Sequence, residues 1–267
     1  MFNAKNGRVD LPAGTTDYIR FGSGKQVLVM LPGLSDGLRT VKGLALPFAL
    51  LYRSLAKDFT VYVFSRRRNL SPDMTTRDMA EDLNGAMEAL GLSSVMLLGV
   101  SQGGMIAQWL TVDHPQKVKK LVLTVTLSRP NDTVRDVIAR WTRMADQGDY
   151  KALMLDTAER SYTGRRLRQA RLQTLLPGII GKPASFDRFR IQAASCVTHD
   201  AYDHLARISC PALVIGGRED KIVTAQASEE IAQRIPDCRL YIYDSLGHGV
   251  YEEAPDFFLR VKDFYMG

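Results

Sequence analysis

The sequence predicts an α/β fold: a mostly parallel sheet flanked by helices, with a helical insertion after its fourth long strand. Three observations predict it. Short runs rich in Val, Ile and Leu recur along the chain. They are continuously apolar rather than alternating, as strands covered on both faces are. Segments of helix length, with apolar residues every three or four positions, separate them. The alternation then stops over residues 128–208, where only helix-like periodicity remains.

The elements follow in order. The first ~25 residues read as a short antiparallel start, with turn residues at Ala13-Gly14 and Gly22-Ser23-Gly24. Strands are predicted at Gln26–Leu31, Val61–Phe64, Val95–Val100, Leu121–Leu127, Ala212–Ile215 and Leu240–Tyr243. Helices are predicted at 75–90, where Met79, Leu83, Met87 and Leu90 form one stripe, and at 102–113, 224–234 and 256–265. Strand–helix alternation of this kind implies right-handed crossovers. The insertion reads as helices at 135–147, 153–161, 165–176 and 186–194, with turn signals at Thr163-Gly164, Pro177-Gly178 and Gly181-Lys182-Pro183. It is too long and too periodic for a loop. The expected division is a core of residues 1–127 and 209–267 and an insertion of residues 128–208.

Composition narrows the class. The chain has 267 residues, 45% hydrophobic and 24% charged, which is a globular balance able to bury a sizeable core. Its three cysteines, Cys196, Cys210 and Cys238, fit neither a disulfide framework nor a metal site. The amino-terminal residues carry no apolar run, so no secretory signal is expected. No stretch approaches the ~20 apolar residues that span a bilayer. A cytoplasmic location is the expectation. The net charge of +6 is mild, and the arginines at 66–68 and 165–171 come without a nucleic-acid motif. A small-molecule substrate is expected, with no nucleic acid.

The chemistry gathers at four points. Gly99-Val100-Ser101-Gln102-Gly103 lies between an apolar strand and a helix. A serine at the tip of such a sharp turn stands clear of the sheet, and a Cβ two residues to either side would collide there. The following helix directs its free N–H groups at developing negative charge. A serine hydroxyl needs a base, and histidine is the best one near neutral pH. His114 ends the following helix, and His199 and His204 fall in the insertion. His248, flanked by Gly247 and Gly249 just after the last strand, is the expected base.

The base needs an anion to fix its tautomer. Asp220, in the loop after the strand at 212–215, is the expected partner, and Glu219 is the alternative. The order Ser, Asp, His is that of a nucleophile-elbow hydrolase. The backbone N–H groups of Leu34 and Gln102 are expected to form an oxyanion hole. Gly33, Arg66 and His199 are candidate substrate contacts.

With these elements in place the chain resembles the α/β-hydrolase family over nearly its whole length. The carrying residues are LPGLSDG at 31–37, GVSQGG at 99–104, PALVIGGREDKIV at 211–223 and LGHGVYEEAPDFF at 246–258. The resemblance implies an eight-stranded, mostly parallel sheet with a helical cap at 128–208, and no cofactor or metal. Two segments depart from the family. Pro32-Gly33 stands where many members have His-Gly. The stretch 65–71 lacks the glycines of the usual D-x-R-G-x-G-x-S loop. The expected activity is hydrolysis of a small carboxylic ester or lactone through an acyl-enzyme. The alternatives are C–C bond cleavage, aminopeptidase or acyl-transfer chemistry on the same triad, with arginines near 66–68 or in the cap holding a substrate carboxylate, or a non-catalytic ligand-binding member of the fold.

Overall fold

The structure, a computed structural model, describes residues 2–175 and 182–267. The turn signals at Pro177-Gly178 and Gly181, and the end of the helix expected to reach Leu176, lie outside the described residues. Eight strands form one sheet in the order β1-β2-β4-β3-β5-β6-β7-β8. A hairpin of β1 (Lys5–Leu11) and β2 (Gly14–Gly22) opens the chain, and β2 pairs antiparallel with β4 (Phe59–Arg67). From β4 onward the sheet is parallel, through β3 (Gln26–Leu31), β5 (Val95–Val100), β6 (Val118–Thr124), β7 (Ala212–Gly217) and β8 (Cys238–Tyr243).

The continuous apolar runs are explained by burial on both faces. In β3, Val29 and Leu31 join one core cluster, while Leu28 and Met30 join another on the opposite face. Successive strand side chains point to opposite faces, so each run must be apolar throughout. The first cluster is closed by α2 (Thr76–Ala89), α3 (Gln102–Asp113) and α8 (Ala225–Arg234), through Met79, Leu83, Leu110 and Ile231. The second is closed by α1 (Ala45–Leu51) and α10 (Phe257–Met266), through Ala49, Phe257 and Val261. Helix α2 starts where it does because Thr75 forms a capping box with Asp78. Thr75 Oγ1 accepts from the Asp78 N–H at 3.1 Å, and Asp78 Oδ2 accepts from the Thr75 N–H at 2.8 Å.

One strand is displaced from its expected place. The run at 121–127 predicts a strand there, but β6 spans Val118–Thr124. Val125 sits at φ +44°, which no extended strand accommodates, so pairing stops at Thr124. Lys119 and Lys120 lie in the first half of the strand despite their charge. Lys120 reaches out to donate to the carbonyl of Phe264 at 2.9 Å.

Helices α4 (Asp132–Asp146), α5 (Tyr150–Ser161), α6 (Gly164–Leu175) and α7 (Asp187–Thr198) fill the stretch between β6 and β7. Helix α4 is strongly amphipathic, burying Val134, Val137, Ile138, Trp141 and Ala145 along one stripe. Asp156 on α5 ties the two helices together. It accepts from Trp141 Nε1 at 2.9 Å, from Arg140 at 2.7 Å and from Arg160 at 2.8 Å. A third core cluster, with Leu34, Met105, Trp141 and Phe189, lies beneath these helices. A short helix, α9 (Val250–Glu253), follows the loop that carries His248. Among the described residues no helix is long and apolar enough to cross a membrane.

Candidate active site

Strand β5 ends at Val100 and leads into Ser101, whose backbone lies at φ +53°, ψ −121°. A non-glycine residue there costs about 1–3 kcal/mol and persists only where its surroundings enforce it. They do so here: the Ser101 N–H donates to Thr124 O at 2.9 Å, and its carbonyl accepts from Gly104 N–H and from Thr126 Oγ1, both at 2.8 Å. The flanking glycines are required by close approach. A Cβ on Gly99 would lie 2.5 Å from Gly103 O, and one on Gly103 would overlap the carbonyl oxygen of Leu31. The second clash is with the neighbouring strand rather than within the turn itself.

The loops after β7 and β8 meet at the same edge. His248 Nδ1 and Asp220 Oδ2 are 2.8 Å apart, and both residues are buried. Asp220 Oδ1 accepts from the backbone N–H groups of Ile222 and Val223, at 2.8 and 3.0 Å. The carboxylate is therefore fixed from both sides, and the ring is oriented with Nδ1–H donating to Asp220 and Nε2 left as its basic nitrogen. Of the two carboxylates the sequence left open, only Asp220 reaches the ring; Glu219 is exposed. The insertion also fixes the histidine loop, because the Gly249 N–H donates to Ser161 O at 2.7 Å.

Ser101 and His248 line one cavity of about 770 Å³, its open mouth included. Among the described residues Ser101 Oγ makes no hydrogen bond of its own. Catalytic contacts in unliganded enzymes often close only on substrate binding. Gly33, Leu34 and Leu38 form part of the wall. Val134, Ile138 and Trp141 of α4 form another part, and Met154 and Thr157 of α5 extend it. The sequence reads 135–147 and 153–161 as helices, and their spacing does not distinguish a cavity wall from plain core. Among the described lining residues there is no Lys or Arg. Cys196 also lines the cavity, but burial pushes its thiol up to about 12, so it offers no thiolate at neutral pH.

Leu34 faces this cavity from the end of β3, and Gln102 opens α3. Among the described residues neither backbone N–H has an acceptor. The first N–H groups of any helix lack intrahelical partners, so Gln102 is suited to bind an anion. Gly33 touches Ser101 closely: a Cβ there would lie 3.2 Å from Ser101 Cβ.

Two expected substrate contacts are not in the cavity wall. Arg66 is buried beneath it. Its Nη2 donates to Pro32 O at 2.7 Å and to Gln102 Oε1 at 3.0 Å. Its neighbours are committed elsewhere, Arg67 to Asp82 at 3.2 Å and Arg68 to Asp17 at 2.7 Å. None of the arginines at 66–68 is among the described residues lining the cavity. His199 is a core residue at the end of α7, with Nδ1 2.8 Å from Thr76 Oγ1 and its ring edge-on to Trp109. Burial pushes its pKa down to about 3, so it stays neutral. His114 pairs with Glu81 at 2.8 Å, away from the cavity.

A family profile described as alpha/beta hydrolase fold matches residues 26–255. The chain belongs to the alpha/beta hydrolase fold family. Within the family it is 28% identical over 233 residues to the "Putative carbamate hydrolase RutD" of Caulobacter sp. (strain K31), covering 80% of this chain and 84% of that one. It is 26% identical over 277 residues to a 2-hydroxy-6-oxononadienedioate/2-hydroxy-6-oxononatrienedioate hydrolase of Pseudomonas putida, covering 97% and 93% of the two chains. Among solved structures, MGS-M2, an alpha/beta hydrolase enzyme from a deep-sea metagenome library of the Medee basin, shares the fold. The TM-score is 0.86 at 18% identity, with 98% of each chain covered.

Proposed function

We propose that this alpha/beta hydrolase cleaves a small, neutral carboxylic ester or lactone through Ser101, His248 and Asp220. His248 Nε2 takes the proton of Ser101 Oγ as the oxygen attacks the carbonyl carbon, and Asp220 holds the imidazolium that forms. The backbone N–H groups of Leu34 and Gln102 stabilise the oxyanion. The tetrahedral adduct collapses, His248 gives its proton to the leaving alkoxide, and an acyl-enzyme remains. Water, deprotonated by His248, then releases the acid and restores the serine. In this reading residues 128–208 act as a cap that shapes the acyl site over a core of residues 1–127 and 209–267.

One observation carries the choice of substrate class. The wall that Ser101 and His248 share is formed by Leu34, Leu38, Val134, Ile138, Trp141 and Phe189 beside a few hydroxyls, with no cation among the described lining residues. An uncompensated carboxylate moved into such a site loses its hydration without gaining a partner. A neutral acyl chain gains about 25 cal/mol for each Å² it buries there. The dienedioate named for the Pseudomonas relative is a dianion, and no arginine or lysine stands among the described lining residues to receive it. The carbamate named for the Caulobacter relative is compatible with the same attack on a carbonyl.

The test uses activated esters. An excess of 4-nitrophenyl butyrate should give a burst of nitrophenol approaching one equivalent per enzyme when deacylation is the slower step, and Ser101→Ala should give none. A succinate half-ester of similar length should be a far poorer substrate. Turnover of the charged ester equal to that of the neutral one would refute the substrate class.

A further inference from the structure

Two halves of the proposed oxyanion hole come from distant parts of the chain: Leu34 follows β3 and Gln102 opens α3. One buried group touches both. Arg66 Nη2 donates to the carbonyl of Pro32, two residues before Leu34, and to the side-chain oxygen of Gln102 itself. We propose that Arg66 is a positioning residue that clamps the Leu34 and Gln102 backbone N–H groups at the spacing an oxyanion requires. This rests on the proposed serine mechanism.

The surroundings make the clamp stiff. Gln102 is fully buried, and its Nε2 donates to Gln192 O at 2.7 Å and to Ser195 Oγ at 3.1 Å, both on α7. Its amide therefore has a fixed orientation, with Oε1 turned to Arg66. The Arg66 backbone N–H donates to Asp36 Oδ2 at 3.2 Å. That oxygen also accepts from Arg188 Nη2 at 2.6 Å and from Gln192 Nε2 at 3.1 Å. Arg188 in turn donates to the backbone carbonyls of Asp36, Arg66 and Arg67. Asp36 lies two residues beyond Leu34, so the loop is held on both sides of its N–H: by Arg66 at Pro32 and by the carboxylate at Asp36. Burial lowers the Arg66 guanidinium to about 10, which still leaves it charged at neutral pH. A planar fork can donate two bonds from one nitrogen in fixed directions, which a flexible ammonium does less well. A displaced donor costs most where charge develops, so the clamp acts on the transition state more than on substrate binding.

The experiment compares wild type, Arg66→Met, Arg66→Lys, Gln102→Met and the Arg66→Met/Gln102→Met double variant. Gln102→Met removes the side-chain anchor but keeps the backbone N–H. Readouts are kcat and KM for 4-nitrophenyl butyrate, Ki for a short alkyl trifluoromethyl ketone whose serine adduct carries the oxyanion, and thermal unfolding. Each single variant at Arg66→Met or Gln102→Met should lower kcat by about tenfold to a hundredfold. KM should stay within about threefold. Ki should rise in step with the fall in kcat/KM, and the double variant should be no worse than the poorer single, because the two residues act as one unit. Arg66→Lys should fall between wild type and Arg66→Met; if Arg66→Met does not fold, it and Gln102→Met carry the comparison. Multiplicative losses in the double variant, or lowered thermal stability with kcat and Ki unchanged, would overturn the clamp. Ser101→Ala separates the two levels. If it still turns over the ester, the serine mechanism fails; if it is inactive while Arg66→Met is fully active, only the clamp fails.

Discussion

At the carboxyl edge of the sheet, each reactive side chain is held through backbone. Ser101 sits at a strained φ enforced by bonds to Thr124 and Gly104, and Asp220 receives two backbone N–H groups while holding the ring of His248. In the insertion, α4 and α5 present Val134, Ile138, Trp141 and Met154 to the same cavity mainly through packing, with Trp141 also donating to Asp156. The first region tolerates little change in position, because a displaced nucleophile or donor loses much of its effect. The second tolerates exchange of volume at a modest cost. On the proposed mechanism the edge carries the chemistry and the insertion the substrate preference.

The largest effect that tests this division is at the edge. Ser101→Ala and His248→Ala should each reduce kcat for a neutral ester by about 10⁴-fold or more, with little change in KM, in steady-state assays. Asp220→Asn should follow with a loss of about 10³–10⁴-fold, because the amide favours the wrong tautomer of His248. An Asp220→Asn enzyme near wild-type activity would assign the orienting role to another group. Gly33→Ala comes next. Its Cβ would press on Ser101 Cβ at 3.2 Å, and kcat should fall by about tenfold to a hundredfold.

Changes in the insertion should be smaller in rate and larger in preference. Trp141→Ala should shift the optimum across a series of 4-nitrophenyl esters toward longer acyl chains while keeping kcat for the best ester within about tenfold. Because Trp141 is buried, the same change should destabilise the fold by about 3–5 kcal/mol in denaturant unfolding. An unchanged chain-length profile would remove the insertion from substrate choice.

The smallest effect on catalysis belongs to the other buried histidine. His199→Gln should leave kcat and KM within about twofold, since the ring lies in the core against Trp109. Its signature is in stability against pH. The native ring stays neutral down to about 3, whereas the unfolded one protonates near ~6.5. Between those values the unfolded state binds the extra proton, so wild-type stability is lost as pH falls through this window. His199→Gln lacks that loss, and its acid-unfolding midpoint should move to lower pH.

Much of the edge was legible in the sequence because its constraints are local. β3, β5 and α3 match their expected bounds to the residue, since Pro, Gly or Ser punctuates each and two-sided burial keeps the strands apolar. Asp220 and His248 follow strands directly and sit among glycines. What was misread depends on contacts made far along the chain. The sequence offers Arg66 and His199 as substrate contacts, but Arg66 is buried against Pro32 and Gln102 and His199 against Thr76. Asp36, Arg188 and Gln192 meet across about 150 residues, and no spacing announces it. Helix α1 went unseen because Leu46, Pro47, Leu50 and Leu51 are apolar yet exposed, which blurs the amphipathic pattern. The proposal that the insertion sets preference therefore needed coordinates, while the proposal of Ser101 as nucleophile did not.

The central claim is that the hydroxyl at residue 101 becomes acylated, and trapping shows this most directly. The enzyme is quenched in acid during turnover of 4-nitrophenyl butyrate, and its intact mass and peptides are measured. A single butyryl addition on the peptide containing Ser101, absent from Ser101→Ala and slower to form in Asp220→Asn, is the predicted result. Rapid ester turnover by Ser101→Ala, or acylation mapped to another residue, would contradict the account.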